Sequence, residues 1–239
     1  MPRILGLDPS LQKAGYVVLD SGGPDSETVE RGLLKTSPRD GVTVQRLVIQ
    51  SERVGALMSR HGIRFVGMEA PFFGAGSTEV LFALNQFLHR VFLDAGAYVV
   101  CFPPQMLKKL VFPDTSVAEV HKPHMIHRAK EALGLVGKRL AEDVADAYWA
   151  GIFGERFYRW HIEKTLPTEG LGEYERHTFC GKHEYTRGPK KGYTDLTGIV
   201  YRENELFFDF EAIKRRAKEA HAKKKAEAKV KGAKRAKQR

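Results

Sequence analysis

Two short apolar runs, Ile4 to Leu7 and Gly15 to Leu19, flank the polar stretch DPSLQKA and predict an antiparallel hairpin whose turn carries a lone carboxylate, Asp8, before Pro9-Ser10. After the polar segment SGGPDSE, residues 28–36 continue as a third strand, giving a three-stranded meander. From 43 to 61 the apolar positions Val44, Leu47, Val48, Val54, Leu57 and Met58 fall at helical spacing, and Gly62 stops the helix. Residues 63–69, IRFVGME, alternate like a strand and end in a second carboxylate, Glu69. A further helix is predicted over 77–95, opened by Ser77, Thr78 and Glu79. Its apolar residues Val80, Leu81, Leu84, Phe87, Leu88, Val91 and Phe92 spread over more of the circumference than one core contact needs. A short strand at 98–102 leads into Pro103-Pro104 and a basic segment ending in Lys108-Lys109. Helices follow at 123–133, with Pro at the first turn and Gly134 past the end, and at 138–158.

Strands interleaved with helices over the first 158 residues predict an α/β fold and one well-packed domain. Beyond Tyr158 the pattern weakens, and residues 159–210 form an extension in which only 197–200 and 206–210 read as a strand pair. Residues 211–239 alternate Lys, Arg and Ala without an apolar face, so this basic tail is expected to be disordered when free.

Charge sharpens that division. The tail holds 13 Lys or Arg against 3 Asp or Glu, which is the whole net charge of +10 of the 239-residue chain, so the preceding body is balanced. A polyanion is the implied partner, with Lys214, Arg215 and Arg216 at the start of the basic run. No apolar run approaches a membrane span and the N-terminus lacks a signal-peptide core, so a cytoplasmic, non-membrane protein is expected. Cys101 and Cys180 are far apart and form no metal or disulfide pattern.

Four carboxylates carry the candidate chemistry. In AEDVADAYWAG, Asp143 and Asp146 stand three apart on one helix, beside a stripe of Leu140, Val144, Ala147 and Gly151. Small residues on that helix, Ala145, Ala147, Ala150 and Gly151, allow close approach to a sheet. In the sheet, alternation sets Gly6 on the face of Asp8 and Gly67 on the face of Glu69. Each pairing of glycine with acid, opposed by small residues and two more acids, predicts a concavity lined by Asp8, Glu69, Asp143 and Asp146. Hard oxygen donors without His or Cys favour Mg²⁺, with Mn²⁺ able to substitute. Two such ions suit phosphodiester hydrolysis. Glu142 points further from the stripe and is set apart from the four.

The segments ILGLDPSLQKAGYVVLD, GMEAPFF, KPHMIHRAKEALGL and EDVADAYWAG, in this order over roughly residues 3–155, resemble the RuvC-type Holliday-junction resolvases, which are RNase H-like nucleases. The resemblance implies a mixed five-stranded sheet flanked by helices, a homodimer, and Mg²⁺-dependent cleavage of four-way DNA junctions by a tetrad at Asp8, Glu69, Asp143 and Asp146. It further implies a junction-probing aromatic at Phe72 or Phe73 and DNA-contacting lysines at Lys108, Lys109 and Lys122. Three departures stand out. Ser10 replaces the glycine usual after Asp-Pro, Asp143 stands where some members have His, and the residues after Tyr158 lack a counterpart in the compact bacterial enzymes. The extension with its basic end suggests a divergent, phage-like member.

Other readings fit less well. An actin-like ATPase needs a second phosphate-binding hairpin and more length. A transposase-type nuclease shares the fold, and a non-enzymatic DNA-bridging protein explains the tail but not four acids that repel phosphate. His121, His124 and His127 give at most a pair of zinc ligands on one helix, and Cys180 with His177 and His183 is short of a fourth.

Overall fold

In the computed structural model the described residues are 2–21, 27–70 and 78–180, with three short strands at 182–184, 194–196 and 200–202. The chain divides into two units, Met1–Asn204 and Glu205–Arg239, and all the described residues belong to the first.

Strands β1 (Arg3–Asp8), β2 (Lys13–Asp20) and β3 (Glu27–Lys35) form the expected meander, and α1 (Thr43–His61) ends at Gly62, whose φ of 63° lies in the left-handed region. There follow β4 (Phe65–Glu69), α2 (Thr78–Asp94), β5 (Tyr98–Phe102), α3 (Pro104–Val111), α4 (Lys122–Ala132) and α5 (Glu142–Tyr158). A single π-helical turn, Arg159–Glu163, extends α5, and α6 spans Glu173–Cys180. The last strands are β6 (Lys182–Glu184), β7 (Thr194–Leu196) and β8 (Val200–Arg202).

The main sheet runs β3-β2-β1-β4-β5-β8. Pairing is antiparallel through the meander, parallel from β1 to β4 and from β4 to β5, and antiparallel again to β8. The mixed five-stranded sheet is therefore present, and Val200–Arg202 adds a sixth short strand along β5. The expected partner strand at 206–210 lies outside the described residues.

Alternation divides the core between the two faces of the sheet. Leu5, Leu7, Val66, Met68 and Val99 pack with Leu47, Val54, Leu57, Leu84, Leu88 and Phe92 from α1 and α2. Ile4, Phe65, Val100 and Phe102 pack on the other face with Leu107, Leu110, Met125, Phe153 and Phe157 from α3, α4 and α5. Even-numbered positions of β1 and odd-numbered positions of β4 thus face α5, which is the parity of Asp8 and Glu69.

Three helices differ from the sequence expectation. Helix α5 begins at Glu142 rather than at 138, because Leu135 to Lys138 close a turn, Lys138 N donating to Leu135 O at 2.9 Å around Gly137 at φ 80°. The basic segment after Pro103 is a helix, α3, with Pro104 at its first turn and Leu107 and Leu110 buried. Helix α6 forms in the stretch that had no clear period, and its order comes from tertiary contacts described below.

Candidate active site

The site begins with register. Parallel pairing sets Gly6 beside Gly67 and Leu7 beside Met68, so Asp8 and Glu69 leave the sheet abreast at the carboxyl ends of neighbouring strands. In open α/β sheets that edge is where ligands bind. Helix α5 lies across the same face with almost nothing between backbones. A Cβ on Gly15 would meet the Asp143 carbonyl oxygen at 1.9 Å, one on Gly6 the Ala147 oxygen at 2.1 Å, and one on Gly67 the Ala150 oxygen at 2.1 Å. Three strands therefore each use a glycine to admit successive turns of one helix. Gly6 and Gly67 are the two the alternation singled out. Gly15 is the one it missed, although its pairing opposite Asp8 in the hairpin was a signal.

This docking turns the first turns of α5, with Asp143 and Asp146, toward Asp8 and Glu69. The electrostatics register the proximity. Burial, then the charges of Glu69, Asp146 and Asp143, hold the Asp8 carboxyl well above the usual carboxylate range, against a smaller opposing pull from Lys122. Burial and Asp146 push Glu69 up to about 8, opposed by Lys122 and Lys108. Burial raises Asp146 to about 6, with Asp143 adding to it and the same two lysines opposing. Buried acids whose charges act on one another and that cannot all ionise cheaply call for a cation. The donor set is all carboxylate oxygen, which fits Mg²⁺ or Mn²⁺ better than zinc. As they stand, no three such side chains among the described residues close into a ligand shell, so the four acids face one another without forming a finished cage.

Among the described residues, Lys122 and Lys108 carry charge that reaches Glu69 and Asp146, and Lys122 also reaches Asp8. Lys122, in the first turn of α4, is ion-paired with Glu142 at the start of α5, so the acid set apart from the four holds a lysine at the rim instead. Lys109 is placed differently. Its ammonium donates to the carbonyls of Pro113 and, at 3.2 Å, Thr115, and it lies 5.7 Å from the centre of the Tyr174 ring. The histidines of HKPHMIH serve their own helix: His124 Nδ1 accepts from the His121 backbone N–H at 3.2 Å, and His127 pairs with Glu131 at 3.3 Å. Phe72, Phe73, Lys214, Arg215 and Arg216 lie outside the described residues.

The family model described as "Crossover junction endodeoxyribonuclease RuvC" matches residues 4–152. The chain belongs to this family. A RuvC of Treponema denticola is 26% identical over 154 residues, covering 63% of this chain and 84% of its own. One from a Sulfurovum species is 29% identical over 148 residues, covering 61% of this chain and 89% of its own. Among solved structures, Thermus thermophilus RuvC in complex with a Holliday junction substrate superposes with a TM-score of 0.56 at 17% identity, covering 68% of this chain and 96% of that one. At that identity the likeness speaks for the fold, an RNase H-like mixed sheet flanked by helices. The RuvC match contains all four acids, Lys108 and Lys122, and it stops before the segment that follows α5.

Proposed function

We propose that this chain is a crossover junction endodeoxyribonuclease that hydrolyses phosphodiester bonds in four-way and related branched DNA, acting in the cytoplasm. The observation that carries the reading is the convergence of Asp8 and Glu69, abreast at two parallel strand ends, with Asp143 and Asp146 on a helix laid directly on the sheet. These four carboxylates are the groups that would hold divalent metal, Mg²⁺ by the hardness of the donors. Bound there, the metal supplies the charge that activates water and stabilises the leaving oxygen. The chain itself supplies the rest. The sheet edge and α5 fix the acids on a rigid scaffold, while Lys108 and Lys122 offset their repulsion of an approaching phosphate. Among the described residues no helix is long and apolar enough to cross a membrane.

A synthetic four-way junction beside a matched duplex tests this directly. Mg²⁺-dependent nicking of the junction, abolished by EDTA and absent on the duplex, is the expected result. Equal cutting of both substrates, or cutting that survives chelation, would sink it.

The enzyme is further proposed to work as a homodimer through α2. That helix buries Leu84, Leu88 and Phe92, yet Val80, Leu81, Phe82, Phe87 and Val91 are only partly covered, Phe87 and Val91 being packed against the core on one side. Apolar area left at that level on one helix fits a self-complementary two-fold interface, which sets two sites to nick opposing strands. Sedimentation at micromolar concentration should give a dimer, and Phe82→Glu, at a partly exposed position outside the core cluster, should give a folded monomer. A wild-type monomer in the presence of junction would remove the dimer.

A further inference from the structure

The segment following α5 lies beyond the part of the chain the family model matches, yet it is fastened to the nuclease body at several points. Arg156 of α5 forms a two-pronged ion pair with Glu175 of α6, Nε to Oε1 and Nη2 to Oε2, the latter at 2.7 Å. The same Glu175 Oε2 accepts from the Gly172 backbone N–H at 2.7 Å, and Arg156 Nη2 also donates to the Gly170 carbonyl at 3.1 Å. Glu175 is 8% exposed, so the pair is largely removed from water, where planar two-point geometry counts most. Phe179 meets Phe157 edge-on at 5.2 Å and Trp160 at 6.0 Å, and Leu171 is buried. Helix α6 is thus pinned to the far half of α5.

From that position it presents Tyr174 to α3. The Lys109 ammonium lies over the ring and donates to the Pro113 and Thr115 carbonyls just past the end of its own helix. An ammonium has three N–H groups, and two carbonyls and an aromatic face engage them. Its neighbour Lys108 is about 100° round α3 from it, and the charge of Lys108, together with the stronger one of Lys122, reaches Glu69 and Asp146.

We propose that Lys109 is a tether rather than a DNA contact: through Tyr174 it fastens α3 to the added helix α6 and so fixes the orientation in which Lys108 overlooks the acidic site. The extension is then a working part of the nuclease body, and Lys109 and Tyr174 are positioning residues that act as one unit. This inference rests on the nuclease reading above.

The test uses the full chain with Lys109→Met, Tyr174→Leu, Tyr174→Phe and the Lys109→Met/Tyr174→Leu double variant. Each of the first two should lower the junction-cutting rate at saturating enzyme about tenfold, and the double should be no worse than either, as expected for two ends of one contact. Tyr174→Phe should keep the wild-type rate, because the ring face holds the ammonium. Amide exchange over residues 105–111 should quicken in both impaired single variants. Lys109→Met should leave unchanged the slope of log junction affinity against log salt. A slope reduced by about 1, with additive losses in the double, would make Lys109 a phosphate contact and overturn the tether. So would unchanged exchange and rate in Tyr174→Leu. The exchange readout needs no catalysis, so quickened exchange in a chain whose wild type cuts no junction supports the tether while removing the nuclease reading.

Discussion

Asp8→Asn abolishes junction cleavage and at the same time makes the protein more stable at pH 8. Both effects have one cause. Asp8 stands at the centre of the acidic site, buried and facing Glu69, Asp146 and Asp143, so its charge is expensive in the folded state and indispensable only for holding a cation. The sign follows from linkage. Carboxyls whose folded pKa lies above the unfolded one bind more protons when folded, so stability falls as pH rises from the ordinary carboxylate range through the raised values, about 6 for Asp146 and about 8 for Glu69. Removing the Asp8 charge relieves that loss. We expect a gain of about 1–3 kcal/mol at pH 8, read as a rise in Tm of roughly 2–10 °C, shrinking toward nothing at pH 4. Junction binding should hold or tighten, because one charge that repels phosphate is gone. Mg²⁺ should raise the Tm of the wild type at pH 8 and do so less for Asp8→Asn, a readout that needs no turnover. Wild-type cleavage by the variant, or a lower Tm at pH 8, would refute the assignment.

Gly6→Ala costs the fold more than any surface change. Its methyl group would lie 2.1 Å from the Ala147 carbonyl oxygen and 2.8 Å from the Gly151 Cα. Both are backbone atoms of α5, so no rotamer change gives relief and the helix itself must move. Ordinary overpacking costs about 1–3 kcal/mol, and here at least the upper end applies, a fall in Tm of roughly 6 °C or more. Displacing α5 also carries Asp143 and Asp146 away from Asp8 and Glu69, so cleavage should drop at temperatures where the variant is still folded. Gly55→Ala is the contrast. Its methyl group meets only the Val91 Cγ1 at 3.3 Å, and an alanine inside a helix gains about 1 kcal/mol over glycine. Equal Tm for the two variants would show that α5 is not seated on glycine.

Much of this was legible in the chain. Helix α1 and strand β5 fall where periodicity sets them, at Thr43–His61 and Tyr98–Phe102. Gly6 and Gly67 could be paired with Asp8 and Glu69 because side chains in a strand alternate strictly, and a glycine on an acid's face leaves room for something to approach. Helix α3 was signalled by Pro104 at its first turn and by Leu107 and Leu110 three apart, but the intervening lysines masked it as a basic segment. Helix α6 had no comparable signal. Eight residues with two acids, an arginine and a histidine bury too little alone to be helical, and it is Arg156, Phe157 and Trp160 that hold them.

By itself the sequence determined most of the elements as far as α5, the two faces of the sheet and the choice of four candidate acids, since these depend on period and on local chemistry that neighbours in the chain already express. The tertiary structure alone decided which charged groups work on the acids and which work on the fold. Lys108 and Lys109 are adjacent and chemically alike, and nothing local separates a lysine that looks toward Glu69 from one fastened to Tyr174, 65 positions further on. The same holds for Glu142, which sequence position excluded from the tetrad but only packing paired with Lys122. The reason is range: a helix sets a side chain's direction around its own axis, whereas the partner it meets there is supplied by distant chain, through loop closures that no local pattern encodes.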